Sequence, residues 1–107
     1  MNNTKGFYNY HDDDLGISFE IPVFKVEHED DIFINFKADM MEAIVLAAER
    51  MLVHDYDDVP CFVFIDAICN ISRETIQNNL DKAQEYYSEE EEYEKCEDIT
   101  NLKKQLL

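Results

Sequence analysis

Basic residues are scarce in this sequence: nine Lys and Arg stand against 25 Asp and Glu, giving a formal charge of -16 over 107 residues. A small domain needs only about 2 to 8 net charges for solubility, so solubility alone does not account for the excess. A field of this sign repels nucleic acid and anionic membranes and draws in basic proteins, while its self-repulsion works against the compact state. The partner class it implies is basic protein, with no direct contact to nucleic acid or membrane. Glycine is scarcer still. Two glycines in the whole chain leave no P-loop and no G-x-G-x-x-G, hence no backbone cradle for phosphates. No Gly- or Pro-rich linker and no internal repeat divides the chain. Long apolar runs are missing as well, since none approaches the roughly 20 residues that a membrane helix needs. The opening Met1-Asn2-Asn3-Thr4-Lys5-Gly6 lacks the apolar core of a signal peptide. Cys61, Cys69 and Cys96 are odd in number, sit in apolar segments and form no C-x-x-C pair. They read as reduced core thiols, and the expected location is cytoplasmic.

Catalytic and metal-binding patterns are equally hard to find. His11, His28 and His54 each stand beside carboxylates in polar stretches, and none belongs to H-E-x-x-H or to a zinc-deaminase signature; solvated imidazoles are expected. Asp55, Asp57, Asp58 and Asp66 have the outline of a calcium loop. The match fails where Pro60 replaces the glycine of the sharp turn, where Val59 replaces an oxygen ligand, and where Asp66 replaces the bidentate Glu. Paired carboxylates are so numerous that no single pair is informative. No catalytic residue, metal site or cofactor is expected, and the chain is read as not an enzyme.

What the sequence does contain is enough for a core, with 46% apolar residues including seven Phe and six Tyr. The expected fold is α+β: a small antiparallel sheet of about three strands packed on a central helix, followed by a C-terminal acidic helix or helix pair. Residues 1–14 show little apolar periodicity and end in Asp12, Asp13 and Asp14, so they read as an acidic tail or arm, with 15–107 as a single domain. Ile17, Phe19, Ile21 and Val23 alternate with polar positions and predict a strand over about 17–26, placed at an edge or bulged because Pro22 cannot donate to a ladder. Residues 32–36 read as a second strand in a hairpin with the first. Asp39 and Glu42 have capping-box spacing ahead of a run of helix formers, predicting a helix over about 39–54, apolar on so much of its surface that it should be packed on more than one side. Residues 61–66 form a continuous apolar run, as in a strand buried on both faces. Ser72, with Ile71 and Ile76 as a staple, predicts an N-cap. Beyond it, Ile76, Leu80, Ala83 and Tyr87 form a stripe out of phase with Tyr93, Cys96, Ile99, Leu102 and Leu106, which predicts a break near Ser88. Whether the last third is one helix or two stays open.

The densest chemistry lies between Glu85 and Asp98. There Glu85, Glu89, Glu90, Glu91, Glu92, Glu94, Glu97 and Asp98 face a single Lys95, interleaved with Tyr86, Tyr87 and Tyr93. As one helix of about 21 Å this segment approaches the charge spacing of duplex DNA, about 1.7 Å per charge. Such a helix costs stability, since like charges four residues apart repel by about 0.2 to 0.5 kcal/mol per pair. Further acids cluster at Asp12 to Asp14, at Glu27, Glu29, Asp30 and Asp31, and at Asp55, Asp57 and Asp58, so the excess is spread over the fold. Tyr86 and Tyr93 add amphipathic anchors of the kind interfaces favour. These acids and tyrosines form the candidate partner-binding set.

In composition and style, the apolar helix running into His-Asp-Tyr-Asp-Asp at 54–58 and the Tyr-interleaved acidic run resemble the small acidic anti-defence proteins of phages and mobile elements. Those are DNA-mimic antirestriction proteins and anti-CRISPR proteins. The resemblance implies a nucleic-acid mimic that occupies the basic nucleic-acid-binding surface of a nuclease or CRISPR effector in the host cytoplasm. Two further readings follow from the same residues. One is an immunity protein or antitoxin capping a basic toxin, which needs a compact patch in place of an extended stripe. The other is a structural or adaptor module that oligomerises through its apolar helix and C-terminal Leu residues, and a homodimer stays open.

Overall fold

The computed structural model describes residues 5–107. Its elements run β1 (Lys5–Asp12), β2 (Ile17–Phe24), α1 (Asp30–Asn35), α2 (Lys37–His54), β3 (Asp58–Phe64), β4 (Ala67–Ser72), α3 (Ile76–Glu89) and α4 (Tyr93–Gln105). The class is α+β, with four strands in the order β1-β2-β3-β4. The sheet is mixed where an antiparallel one was expected: β1/β2 and β3/β4 are antiparallel hairpins, and β2 meets β3 in parallel. That parallel pairing follows from the chain path, because α1 and α2 carry the chain back to the starting end of the sheet before β3 begins.

The expected acidic arm at 1–14 is corrected. Residues 1–4 lie outside the described residues, and from Lys5 onward the segment is an edge strand in continuous register with β2, from Lys5↔Phe24 to Asp12↔Ile17. The turn closes through the Gly16 N–H donating to the Asp12 carbonyl at 2.8 Å. Gly16 has φ 66, where a side chain would be strained. The Asp12 carboxylate accepts the amides of Asp14 and Leu15, an Asx turn that gives this acidic triplet a local role. Weak periodicity in β1 has a physical cause. Its Phe7 and Tyr8, on opposite faces, are both exposed.

Two expectations about β2 are also overturned. It is an interior strand and its register with β1 has no bulge, yet it holds Pro22. The proline is accommodated because pairing with β3 is confined to Val23↔Val63 and Phe24↔Phe64, just beyond it. Residues 32–36 do not form the second strand of a hairpin. They lie in and just after the short helix α1, with Ile32 buried and Asp30 and Asp31 in the first turn, where the helix dipole favours negative charge.

Helix α2 is central as expected, burying Met40, Met41, Ala43, Ile44, Ala47, Ala48 and Met51. Its N-cap is Phe36, three residues earlier than the capping-box spacing implied, with no side-chain cap, so Asp39 lies inside the first turn. Strand β3 is buried from Val59 to Val63. A fourth strand, β4, went unpredicted, and Ser72 ends it instead of capping α3. The Ser72 hydroxyl accepts the Thr75 N–H at 3.2 Å in a turn that leads into α3, whose N-cap is Thr75.

The last third is two helices. α3 buries Ile76, Leu80, Ala83 and Tyr87, and α4 buries Ile99 and Leu102. The first predicted stripe and the Cys96-to-Leu106 part of the second therefore face the core around α2, whereas Tyr93, expected in the second stripe, stands exposed. Side-chain amides clasp the pair: Gln84 Nε2 donates to the Cys96 carbonyl at 3.0 Å and to Thr100 Oγ1 at 2.6 Å, and Gln77 Nε2 donates to the Lys103 carbonyl at 3.0 Å. Cys61 is buried, while Cys69 and Cys96 are half-buried against the core, and all three are free thiols. Among the described residues, no helix is long and apolar enough to cross a membrane.

Candidate partner-binding surfaces

Topology sorts the acidic clusters into two ends of the molecule. β2 and β3 run in parallel, so the β1–β2 turn and the α2–β3 loop lie at the same end, and the two acidic clusters there meet. The Tyr56 hydroxyl donates to Asp12 Oδ2 at 2.6 Å. That hydrogen bond, helped by the Leu15 amide, holds the Asp12 carboxyl below its ordinary value. Burial, reinforced by Asp12, pushes the Tyr56 hydroxyl up to about 12. Asp55 and Asp57 flank Arg73, whose guanidinium lies 3.1 Å from Asp55 Oδ1 and 3.7 Å from Asp57 Oδ1. The same group donates to the Tyr56 and Met51 carbonyls at the end of α2. Asp55 and Asp57 are therefore partly engaged in holding the fold, and Asp58 is exposed at the start of β3. His11 lies 2.9 Å from Asp13, His28 is exposed, and the His54 ring meets Tyr56 edge-on.

The opposite end carries the other two clusters. Helix α3 runs antiparallel to α2, since Arg73 before α3 touches the end of α2 while Lys37 at the start of α2 lies 5.7 Å from the Tyr86 ring. This places the α3–α4 turn beside the beginning of α2. The chain enters α2 from the 27–31 segment, of which Glu27, Glu29 and Asp30 are exposed and Asp31 is half-buried. The two clusters share this end of the molecule.

The expected 21 Å acidic rod is corrected, because the run folds back at 90–92. Glu91 adopts φ 59; its N–H donates to the Ser88 carbonyl, and the Glu92 N–H donates to the Tyr87 carbonyl at 2.8 Å. This is a Schellman closure with Glu91 where glycine is usual. It turns a linear array into a compact acidic tip. Glu89, Glu90, Glu91, Glu92 and Glu94 surround it, Glu85 projects from α3, and Glu97 and Asp98 continue along α4, all exposed.

The tyrosines separate. Tyr87 is core, Tyr86 packs edge-on against it, and Tyr93 alone is an open anchor at 64% exposure. Burial first, then the nearby Glu90 and Glu92, pushes the Tyr86 hydroxyl up. Burial with Glu42 and Glu92 takes Tyr87 to about 12.

Sequence reasoning took Glu42 only as a capping residue and passed over Glu49; both are exposed on α2 and line a groove against Asp98 and Lys95 of α4. Their signal was present in the sequence, as two acids that bracket the uninterrupted apolar run 43–48 of α2. Among the described residues, no group of three or more His, Cys, Asp or Glu side chains is placed to hold a metal ion. Compared with known proteins, the chain matches no family model, no curated protein and no solved structure. Function is therefore read from the chemistry of these surfaces.

Proposed function

We propose that this chain is an acidic inhibitor that occupies the basic nucleic-acid-binding surface of a nuclease or CRISPR effector, acting in the cytoplasm of the cell that holds it. The observation that carries the reading is the density of exposed carboxylate. The net charge of -16 is presented over a longest dimension of 39 Å. Duplex DNA of that length carries about 23 charges, so the chain offers about 70% of that charge in a comparable span. The partner would recognise carboxylates standing in for phosphates, with Tyr93 as an apolar anchor among them.

Folding of the acidic run into a tip favours a second reading, an immunity protein or antitoxin that caps a single basic toxin, for which a compact patch suffices. The adaptor alternative has less surface to work with, because the apolar face of α2 and Leu102 and Leu106 are buried in the chain's own core.

A cleavage assay with purified guided nucleases and basic toxin nucleases separates these readings. The wild-type chain should inhibit, nucleic acid should compete with it, and inhibition should weaken steeply with salt. Reversal of Glu89, Glu90, Glu91 and Glu92 to Lys should weaken inhibition about 100-fold if each lost pairing contributes about 0.7 kcal/mol. Reversal of Asp12, Asp13 and Asp14 should matter less. If the tip variant inhibits as well as wild type and nucleic acid does not compete, the mimic reading is wrong.

A further inference from the structure

The groove between α2 and α4 differs in chemistry from base to rim. Its base is apolar, formed by Val45, Leu46, the Tyr87 ring and Ile99, and it encloses about 180 Å³. Leu46 stays 37% exposed there although most of the apolar residues of α2 are buried. The rim is anionic, with Glu42 and Glu49 from α2 and Asp98 from α4. At one end the chain's own Lys95 shows how a cation is received: its Nζ lies 4.8 Å from the Tyr87 ring centroid and 3.4 Å from Glu92 Oε1.

We propose that this groove seats a basic amphipathic helix of the partner protein, whose leucine-like side chains reach Leu46 and Ile99 and whose Arg or Lys side chains pair with Glu42, Glu49 and Asp98. The spacing supports a helix. Glu42, Leu46 and Glu49 fall at i, i+4 and i+7, so the two carboxylates are about 10.5 Å apart along α2, two turns of a helix lying alongside. An amphipathic helix in an apolar groove is a common recognition mode, and here the sign of the rim selects its charge. Nucleic acid would set phosphates against three carboxylates, and a second copy of this chain would set -16 against -16. A neutral apolar ligand would strip water from the rim without pairing it. The inference rests on the basic-partner reading and adds the place and form of the ligand.

The test is an NMR titration of the full ¹⁵N-labelled chain in about 0.15 M NaCl, where exposed charges are screened beyond about 8 Å. The probes are two synthetic peptides of identical Leu and Arg composition, one with its leucines at i, i+3, i+4 and i+7 and one scrambled to have no apolar face. The amphipathic peptide should bind at least about tenfold tighter, and its shift changes should gather at 42–49 and 95–99. Leu46→Asp and, independently, the exposed Glu49→Lys should each weaken it about tenfold or more, with thermal melts confirming the fold. A triple Gln variant at Glu89, Glu90 and Glu91 should change it less. If both peptides bind equally, with shifts spread over 27–31, 55–58 and 89–92, the groove is not the seat, although a basic partner still is. If neither peptide binds even at low salt, both readings fail.

Discussion

Glu91 is the residue at which local physics and the observed sequence disagree most sharply, and that makes it measurable. It occupies the left-handed region at φ 59, at the position after the C-cap of α3, where its backbone completes the turn into α4. Left-handed backbone costs an L-residue about 1 to 2 kcal/mol. Glycine escapes this but forfeits about 0.5 to 1 kcal/mol of chain entropy, so Glu91→Gly should gain about 0.5 to 1 kcal/mol from conformation. A carboxylate near a helix C-terminus also opposes the dipole by about 0.3 to 1 kcal/mol; the N-terminus of α4, whose N-cap is Glu92, favours the same charge and offsets part of this, and either Gly or Ala removes what remains. The side chain is exposed, so no apolar burial is lost. Glu91→Gly should therefore be more stable than wild type by about 0.5 to 1.5 kcal/mol, which raises Tm by at least about 2 °C in a domain of this size. Glu91→Ala should fall between the two, because it removes the charge but keeps the strain. Thermal unfolding followed by circular dichroism at fixed salt reads the order Gly, Ala, wild type. If Ala equals or exceeds Gly, the left-handed turn is absent in solution. If both melt below wild type, the carboxylate is stabilising, and neither strain nor the dipole governs this turn.

Self-repulsion predicts that Tm rises as NaCl goes from about 0.01 to 0.15 M, over which the screening length shortens from about 30 to 8 Å; a flat or falling response would mean that the carboxylates are already compensated. In alkali, burial holds the Cys61 thiol up at about 12 from an ordinary 9.0, and burial with Glu42 and Glu92 holds the Tyr87 hydroxyl at about 12 from 10.0. The unfolded chain ionises first, so the stability these groups contribute is complete below about pH 9 and is lost as pH rises towards 12; urea midpoints should fall steadily between them. A midpoint constant over that range refutes the buried placement of both groups. In the β3–β4 hairpin, Ile65 and Asp66 have φ 49 and 58, the geometry for which Asn-Gly is favoured. The pair Ile65→Asn with Asp66→Gly should raise Tm by a few degrees, about 1 kcal/mol net of the partial burial Ile65 loses, whereas Asp66→Val should lower it.

The elements that were legible are those whose pattern had one physical solution. α2 combines length with a nearly continuous set of helix formers, and β3 is a short apolar run too brief for a buried helix, so both stood out. Residues 32–36 had the same short apolar character with a different outcome. Periodicity cannot separate strand from helix over five residues, and here β1 had already taken the free edge of β2, leaving no pairing site for a second strand. β1 was missed because an edge strand with both faces partly wet has no clean alternation. β4 was missed because its turn, Ile65-Asp66, carries no glycine or asparagine to announce a hairpin. The acids of the candidate surfaces could be read as exposed, since an unpaired carboxylate has nowhere else to go. Their grouping could not, because it depends on β2 and β3 being parallel, which brings Asp12 to Tyr56 across 44 residues of sequence.

The fold of the acidic run bears on why the charge is there at all. The two stripes that end at Tyr87 and resume at Ile99 can both reach α2 only if the chain reverses between them, so burial of Leu80, Tyr87, Ile99 and Leu102 fixes a turn at 90–92. A turn of that kind asks for glycine at its left-handed residue and for lysine or arginine near the end of the preceding helix. The sequence supplies Glu89, Glu90 and Glu91: Glu89 and Glu90 oppose the end of α3 and Glu91 its left-handed backbone, by a few tenths of a kcal/mol or more each, a cost that the N-terminus of α4 two residues on offsets only in part. Core packing does not call for them, because all three are exposed. Acids that oppose both the backbone and the helix dipole, on a chain already far more charged than solubility needs, are what a surface under demand from a basic partner would show. A surface tuned only for stability would carry glycine at the left-handed position and basic residues in the last turn of α3. The Glu91→Gly variant separates the two cases: it should gain stability and lose affinity together.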